Sequence, residues 1–271
     1  MNLGLSVQEF IELLNHPKID FHQHLSVKQD LEERLAILKR NNIEKAIIIP
    51  YDFAGLSERE VYAAAQTLPK TKQYINTVLR RLDLINEMLQ DYLKPEDELI
   101  FTPWVSPECD NLDSFIEEAL MIKIITVLDN FTEDYFERIK PIMSKAEENN
   151  TAVMFHTGWG VPVDPLIKLA ADYKTKIVIG HAKEDNDQYG VLRGAALSLP
   201  NVFLESSYLV HAKRLYQYRK YSDKIFFGSD LRARIDEQTI KGWVLGVIAS
   251  DLTIQQKKDI MYFNARRFLN Y

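Results

Sequence analysis

Short apolar runs rich in β-branched and aromatic residues recur along the chain, each followed by a polar segment with helical spacing. The runs are KIDFH from residue 18, KAIIIP from 45, ELIFTPWV from 98, MIKIITV from 121, TAVMFH from 151, TKIVIGH from 175, NVFLES from 201 and KIFFGSD from 224. Runs this continuously apolar suit strands buried on both faces, as in a parallel sheet. Between them, DLEERLAILKRNN sets Leu31, Leu35 and Leu38 along one helical face, with charges elsewhere and Asn41-Asn42 to end it. TEDYFERIKPIMSKAEENN opens on Thr132 as N-cap, with Glu133 and Asp134 in the first turn. DPLIKLAADYK offers Asp164 as cap and Pro165 as the first helical residue, and TIQQKKDIMYFNARRFL reads as the last helix. Strand followed by helix, eight times over, predicts an α/β fold of the (β/α)8 barrel type.

The runs are evenly spaced except between the second and third, where segment 52–95 intervenes, helical in pattern and rich in tyrosine and leucine. It is expected to be a helical insertion on the second βα loop. That loop lies on the active face of such a barrel, so the insertion is either a lid or a cover for the barrel wall. No linker, low-complexity tract or solenoid repeat divides the chain, and one domain over 1–271 is expected. With 271 residues, the length fits one barrel.

Charge and cysteine usage narrow the partners. The net charge is −6 with both signs interspersed, and no basic stripe follows a phosphate backbone, so nucleic acid is not expected. A single cysteine, Cys109, excludes an internal disulfide and fits a reducing compartment. The start MNLGLSVQEFIELLNHP lacks a basic stretch leading into an apolar core, and no run approaches the roughly 20 apolar residues of a membrane span. The expectation is a cytoplasmic protein with a small-molecule partner and no membrane, a homodimer being the assembly allowed for.

Four of the six histidines end strands: His22 and His24 the first, His156 the fifth and His181 the sixth. In a (β/α)8 barrel those strand ends converge on one face, where active sites are built. Residues i and i+2 of a strand point the same way, so His22 and His24 share a face while Gln23 takes the other. Two imidazoles one repeat apart can hold one ion, a third from another strand completes three nitrogens, and zinc suits that mixed set best. Asp230 ends the eighth run at the matching height, where a metal would compensate its burial. His22, His24, His156 and Asp230 then form a ligand set with room for a water, whose pKa a metal brings toward about 7. A lone strand-end histidine is more often a satisfied polar residue, and HxH alone is weak; the recurrence across strands carries the reading. His16, before the first strand, and His211, past Glu205, fall outside the pattern and are read as solvent residues.

These motifs, DFHQH at 20–24, FHTG at 155–158, GHA at 180–182, NVFLESS at 201–207 and GSD at 228–230, together resemble the amidohydrolase superfamily. The similarity runs from about Ile19 to the C-terminus and is to the amidohydrolase-related branch of hydrolases and decarboxylases. The resemblance implies a distorted barrel holding one divalent metal, zinc or alternatively manganese. His22, His24 and His156 would be ligands, Asp230 a ligand that also shuttles a proton, and His181 an acid/base or polarising group near the metal. Other branches bridge two metals with a carboxylated lysine on strand four. Lys123 is the candidate here, but it lies mid-strand and reads instead as a lysine paired with a carboxylate. Two departures from the branch, HQHLSV and GSDLRAR, touch the substrate rim. There Arg232, Arg234 and Lys183 could meet a substrate carboxylate, and Trp159 could wall the pocket.

Three functions follow. The first is a hydrolase in which metal-activated water attacks a small ester, lactone or amide, with Asp230 taking the proton and His181 stabilising developing charge. The second is a non-oxidative decarboxylase of a small aromatic carboxylic acid, which Arg232 would favour. The third is a non-catalytic metal-binding barrel, opposed by His181 and Asp230, since structural zinc sites are closed and thiolate-rich.

Overall fold

The computed structural model describes residues 4–26, 30–50, 82–93, 98–107, 109–124, 133–157, 164–181, 194–207, 215, 218–231 and 237–271. Every one of the eight apolar runs contains strand: β1 (Lys18–Leu25), β2 (Ile43–Pro50), β3 (Leu99–Phe101), β4 (Trp104–Val105), β5 (Met121–Ile124), β6 (Ala152–His156), β7 (Ile177–Gly180), β8 (Val202–Glu205) and β9 (Ile225–Phe226). All pairings are parallel, with β1 to β3 in one sheet and β4 to β9 in the other.

The third run serves both sheets. Thr102 donates its N–H to Ile48 O, whereas Pro103 has no N–H and only accepts, from Lys123 N. The single strand expected there is therefore two short ones, β3 on β2 and β4 on β5. At the other seam Phe21 N donates to Phe227 O, Asp230 N to His22 O and His24 N to Leu231 O, each at 2.8 Å. Gln23 also bridges Leu231 in parallel. Hydrogen bonding so continues from the last strand into the first, as the (β/α)8 reading requires.

Helix ends follow local chemistry. Asp30 caps helix Leu31–Arg40 by accepting from Glu33 N, and Thr253 opens Ile254–Lys258 in a capping box with Gln256. The chain then passes a π turn at Asp259–Phe263 and closes with helix Asn264–Phe268. The helix expected after Thr132 is Glu133–Asn149, Thr132 itself lying outside the described residues, and Asp164 is the first residue of its helix. Among the described residues no helix is long and apolar enough to cross a membrane.

β1 carries a bulge that matters for everything above it. Asp20 pairs with Ala46 and Gln23 with Ile48, so Phe21 and His22 together face only Ile47. Ile19 and Phe21 join the barrel interior, where Phe21 stacks on Phe226 at 4.2 Å and Phe268 stands edge-on. Past the bulge, His22 and His24 form a polar layer over that floor. Asp20 and Gln23 turn outward, Gln23 Nε2 donating to Asp20 Oδ2 at 2.7 Å. Behind them Arg34, one of the charges set off the Leu31, Leu35 and Leu38 face, is wholly buried. Its guanidinium donates to Gln23 Oε1 and His24 O, both at 3.2 Å. His16 is likewise no solvent residue: it is half-buried against Tyr262 and Phe263.

Of the segment expected as an insertion, helix Leu82–Leu93 is described; residues 52–81, 94 and 95 lie outside the described residues. This helix covers the barrel wall, burying Ile85, Leu89 and Leu93. Its buried Asn86 accepts from Trp104 N at 2.9 Å and donates to Trp104 O at 2.7 Å, where the third run changes sheets. Asn86→Ala removes both bonds, and urea unfolding is expected to show a loss of about 2–4 kcal/mol, a buried donor and acceptor each costing on the order of 1–3. A change below about 0.5 kcal/mol would contradict this anchoring role.

Candidate active site

Among the described residues, seven ionisable side chains meet at the C-terminal ends of the strands, all of them buried: His22 and His24 from β1, Lys123 from β5, His156 from β6, His181 just past β7, Glu205 ending β8 and Asp230 just past β9. The strand-end histidines and Asp230 of the sequence reading are thus brought together in one cluster. Trp159, Lys183, His211, Arg232 and Arg234 lie outside the described residues.

Three donor atoms form a near-equilateral triangle. His22 Nε2 and His24 Nε2 are 3.2 Å apart, and Asp230 Oδ1 stands 3.4 and 3.3 Å from them. Ligand atoms about 2.0–2.1 Å from a tetrahedral ion stand about 3.3–3.4 Å from one another. The donor set therefore fits one small divalent ion. His24 Nδ1 is 3.2 Å from Pro50 O; a carbonyl only accepts, so the proton sits on Nδ1 and Nε2 keeps its lone pair.

Lys123 is not the carboxylate-paired lysine expected from sequence. Its Nζ lies 2.6 Å from His22 Nε2 and 3.4 Å from His24 Nε2, beside the triangle. Burial pulls its ammonium down to about 8, while the charges of Asp230 and Glu205 oppose that shift.

The second half of the cluster is a hydrogen-bonded chain. His181 Nε2 is 2.9 Å from His156 Nδ1, and His181 Nδ1 is 3.0 Å from Ser207 Oγ. Asp230 Oδ2 lies 3.9 Å from the same His181 Nδ1. His156 thus sits beside His181, and the triangle sharing one point is made by His22, His24 and Asp230. A second group of donors within one ion's reach is His22, His181 and Glu205. Burial pushes both His156 and His181 well below the usual histidine range. They are neutral at physiological pH, the form that ligates a metal or accepts a proton.

Glu205, within the NVFLESS motif, is a member of the cluster that the histidine pattern does not reveal. Burial lifts its carboxyl to about 7, against hydrogen bonds from Ser207 and His181 N. Its Oε2 is 2.7 Å from His22 Nδ1. The signal that could have found it is the one that found Asp230, a carboxylate at the end of an apolar run. Beneath the site, burial likewise raises Asp20 to about 6, opposed by hydrogen bonds from Ser229, Gln23 and His22 N.

Backbone geometry holds these groups. His181 and Asp230 have φ of +64° and +49°, the left-handed region that L-residues adopt at a cost. Thr157 Oγ1 donates to Gly180 O at 2.7 Å and His181 O at 3.0 Å, fixing one turn. Ser229 N donates to Asp20 Oδ1 and Asp230 N to His22 O, fixing the other to β1.

Comparison with known proteins follows the same lines. A family model described as amidohydrolase matches residues 19–271. No curated protein matches the chain in sequence. Among solved structures, a probable 2-pyrone-4,6-dicarboxylic acid hydrolase from Acinetobacter baumannii aligns with a TM-score of 0.64 at 13% identity, over 94% of this chain and 99% of that one. The 2,6-dihydroxybenzoate decarboxylase from Rhizobium aligns at 0.60 and 15%, over 94% and 99%. A 5-carboxyvanillate decarboxylase from Novosphingobium aromaticivorans, with bound manganese, aligns at 0.55 and 16%, over 91% and 82%. At these identities the structural likeness speaks to the fold, a barrel shared across the set.

Among the described glycines, Gly228 has the least room for a side chain. A Cβ there would stand 2.1 Å from Glu205 Oε1, so any larger residue must displace the carboxylate. Gly228→Ala is expected to lower stability by about 1–3 kcal/mol, the usual cost of overpacking. Denaturant unfolding of the two proteins measures it, and an unchanged midpoint would contradict the close approach.

Proposed function

The chain belongs to the amidohydrolase family, and on that premise we propose that it is a metal-dependent hydrolase of a small ester, lactone or amide. The observation that carries this reading is the triangle of His22, His24 and Asp230 donors at ligand spacing. His22, His24, His156 and Asp230 hold one divalent ion, zinc by donor type with manganese as the alternative. Such an ion lowers the pKa of water toward about 7 and polarises a carbonyl.

The chain's own residues do the rest. Asp230, buried and held in its turn, takes the proton of the attacking water. His181 Nδ1, which carries a proton, stands 3.9 Å away; it gives that proton to the leaving group, and Asp230 then returns its own to the emptied Nδ1. The Lys123 ammonium offsets the negative charge of Asp230 and Glu205 in a water-poor layer. Trp159 and Arg232, read from the sequence as pocket wall and partner of a substrate carboxylate, complete the proposal as its substrate-binding residues. With one cysteine, itself buried, the reading places the enzyme in the cytoplasm, acting on a small molecule.

A second reading is non-oxidative decarboxylation of a small aromatic acid, favoured by the decarboxylases among the structural relatives. There the same residues hold the metal and proton delivery replaces hydrolytic attack.

Elemental analysis of purified protein is expected to find about one divalent metal per chain, lost in the His22→Ala, His24→Ala double variant. Metal retained by that variant would overturn the site. Incubation with lactones and esters, reading acid release, and with aromatic carboxylates, reading CO2, decides between the two reactions. His181→Ala is expected to keep its metal and lose about 10²–10⁴-fold in kcat; unchanged kcat would remove its role.

A further inference from the structure

Histidine binds a metal only through a nitrogen that carries a lone pair, so a three-histidine site needs all its tautomers set alike. For His24 the Pro50 carbonyl does this. For the other two, we infer that Glu205 is the positioning residue that sets the tautomers of both His22 and His156 through two separate hydrogen-bond branches. The inference rests on the metal-site reading above and deepens it.

The first branch is direct. An ionised carboxylate has no proton to give, so the 2.7 Å contact between His22 Nδ1 and Glu205 Oε2 puts the proton on Nδ1. His22 Nε2 then keeps its lone pair, and that is the atom in the triangle. Lys123 Nζ, a donor only, meets the same Nε2, which agrees with that assignment.

The second branch has three links. Ser207 Oγ donates to Glu205 Oε2 at 2.9 Å, and its one proton is thereby committed. Its 3.0 Å contact with His181 Nδ1 must then be donated by the imidazole. His181 is neutral, so its Nε2 is an acceptor, and the 2.9 Å contact there is donated by His156 Nδ1. His156, neutral too, is left with its lone pair on Nε2. A buried carboxylate on β8 in this way orients one histidine beside it and another across three side chains. Its place is secured by Ser207 N, His181 N at 3.2 Å and the bare Gly228 against it.

Long-range 15N–1H correlation of the histidine rings reads tautomers directly, in metal-free protein and without activity. The wild type in slightly alkaline buffer is expected to show Nδ1–H tautomers for His22, His24, His156 and His181. Ser207→Ala breaks only the long branch; it should alter His181 and His156 and leave His22 unchanged. Glu205→Gln places an amide donor in the carboxylate's position and should alter all three, with divalent-metal affinity falling about 10- to 100-fold, the usual effect of losing such a partner. Nε2–H tautomers at His22 or His156 in the wild type would overturn the inference. So would a Glu205→Gln spectrum matching the wild type. Should Glu205→Gln fail to fold, the wild-type and Ser207→Ala spectra decide alone. Expected tautomers in a protein that takes up no metal would sink the proposed function and leave this inference standing.

Discussion

One extra residue in β1 is the constraint on which the site depends. With strict alternation Asp20 would share a face with His22, and Phe21 with Gln23. The bulge opposite Ile47 breaks that pattern between Phe21 and His22. One strand can then contribute an apolar floor, a polar layer above it and, outward, a buried anchor to Arg34. Phe21 needs the floor because Phe226 and Phe268 pack on it; His22 needs the layer because Glu205 and Lys123 wait there. A bulge that re-aims side chains beside a functional site is a recurrent device in sheets.

The layer so formed is electrostatically demanding. Burial raises Glu205, depresses Lys123 and depresses His156 and His181, and in each case works against the charged form. Hydrogen bonds and opposite charges answer it group by group: Ser207 and the His181 amide at Glu205, the two carboxylates at Lys123. Removing one partner from such a buried set costs about 3–5 kcal/mol, because the other charge is left uncompensated. The outcome is two carboxylates, one ammonium and four imidazoles, with the His22, His24 and Asp230 donors gathered at one point. A divalent cation is the ligand that this excess of donors suits.

How much of this was legible in the sequence depended on range. The eight strands were readable because burial on both faces writes itself as a continuous apolar run, and the histidines and Asp230 because each ends one. Pro103 was visible in its run, yet its effect, moving the strand from β2 to β5, depends on which neighbours stand on either side. The height of Lys123 is not legible along its own run, because it is the register that sets it opposite Met154 and Trp104. Glu205 and Arg34 were not legible for a shared reason: a charged residue reads as solvent-facing until its partners are known. Those partners, His22 and His24 O, lie far off in sequence for Glu205 and on the preceding strand for Arg34.

The turns that carry His181 and Asp230 are both strained, and the strain is held from outside. His181 and Asp230 occupy the left-handed region, at a cost of order 1–3 kcal/mol each. Neither could persist alone. The His181 turn is held by Thr157 Oγ1 on two carbonyls and by Glu205 on its amide. The Asp230 turn is held through Ser229 by Asp20 and through its own amide by His22 O. Each clamp ends on the carboxylate that also anchors a β1 group, Glu205 on the His22 ring and Asp20 on the His22 amide. His22 is therefore the common point: it belongs to the donor triangle, and both strained turns are tied to it. A shift in β1 would move His181 and Asp230 along with the donor triangle, which accounts for the anchoring behind that strand.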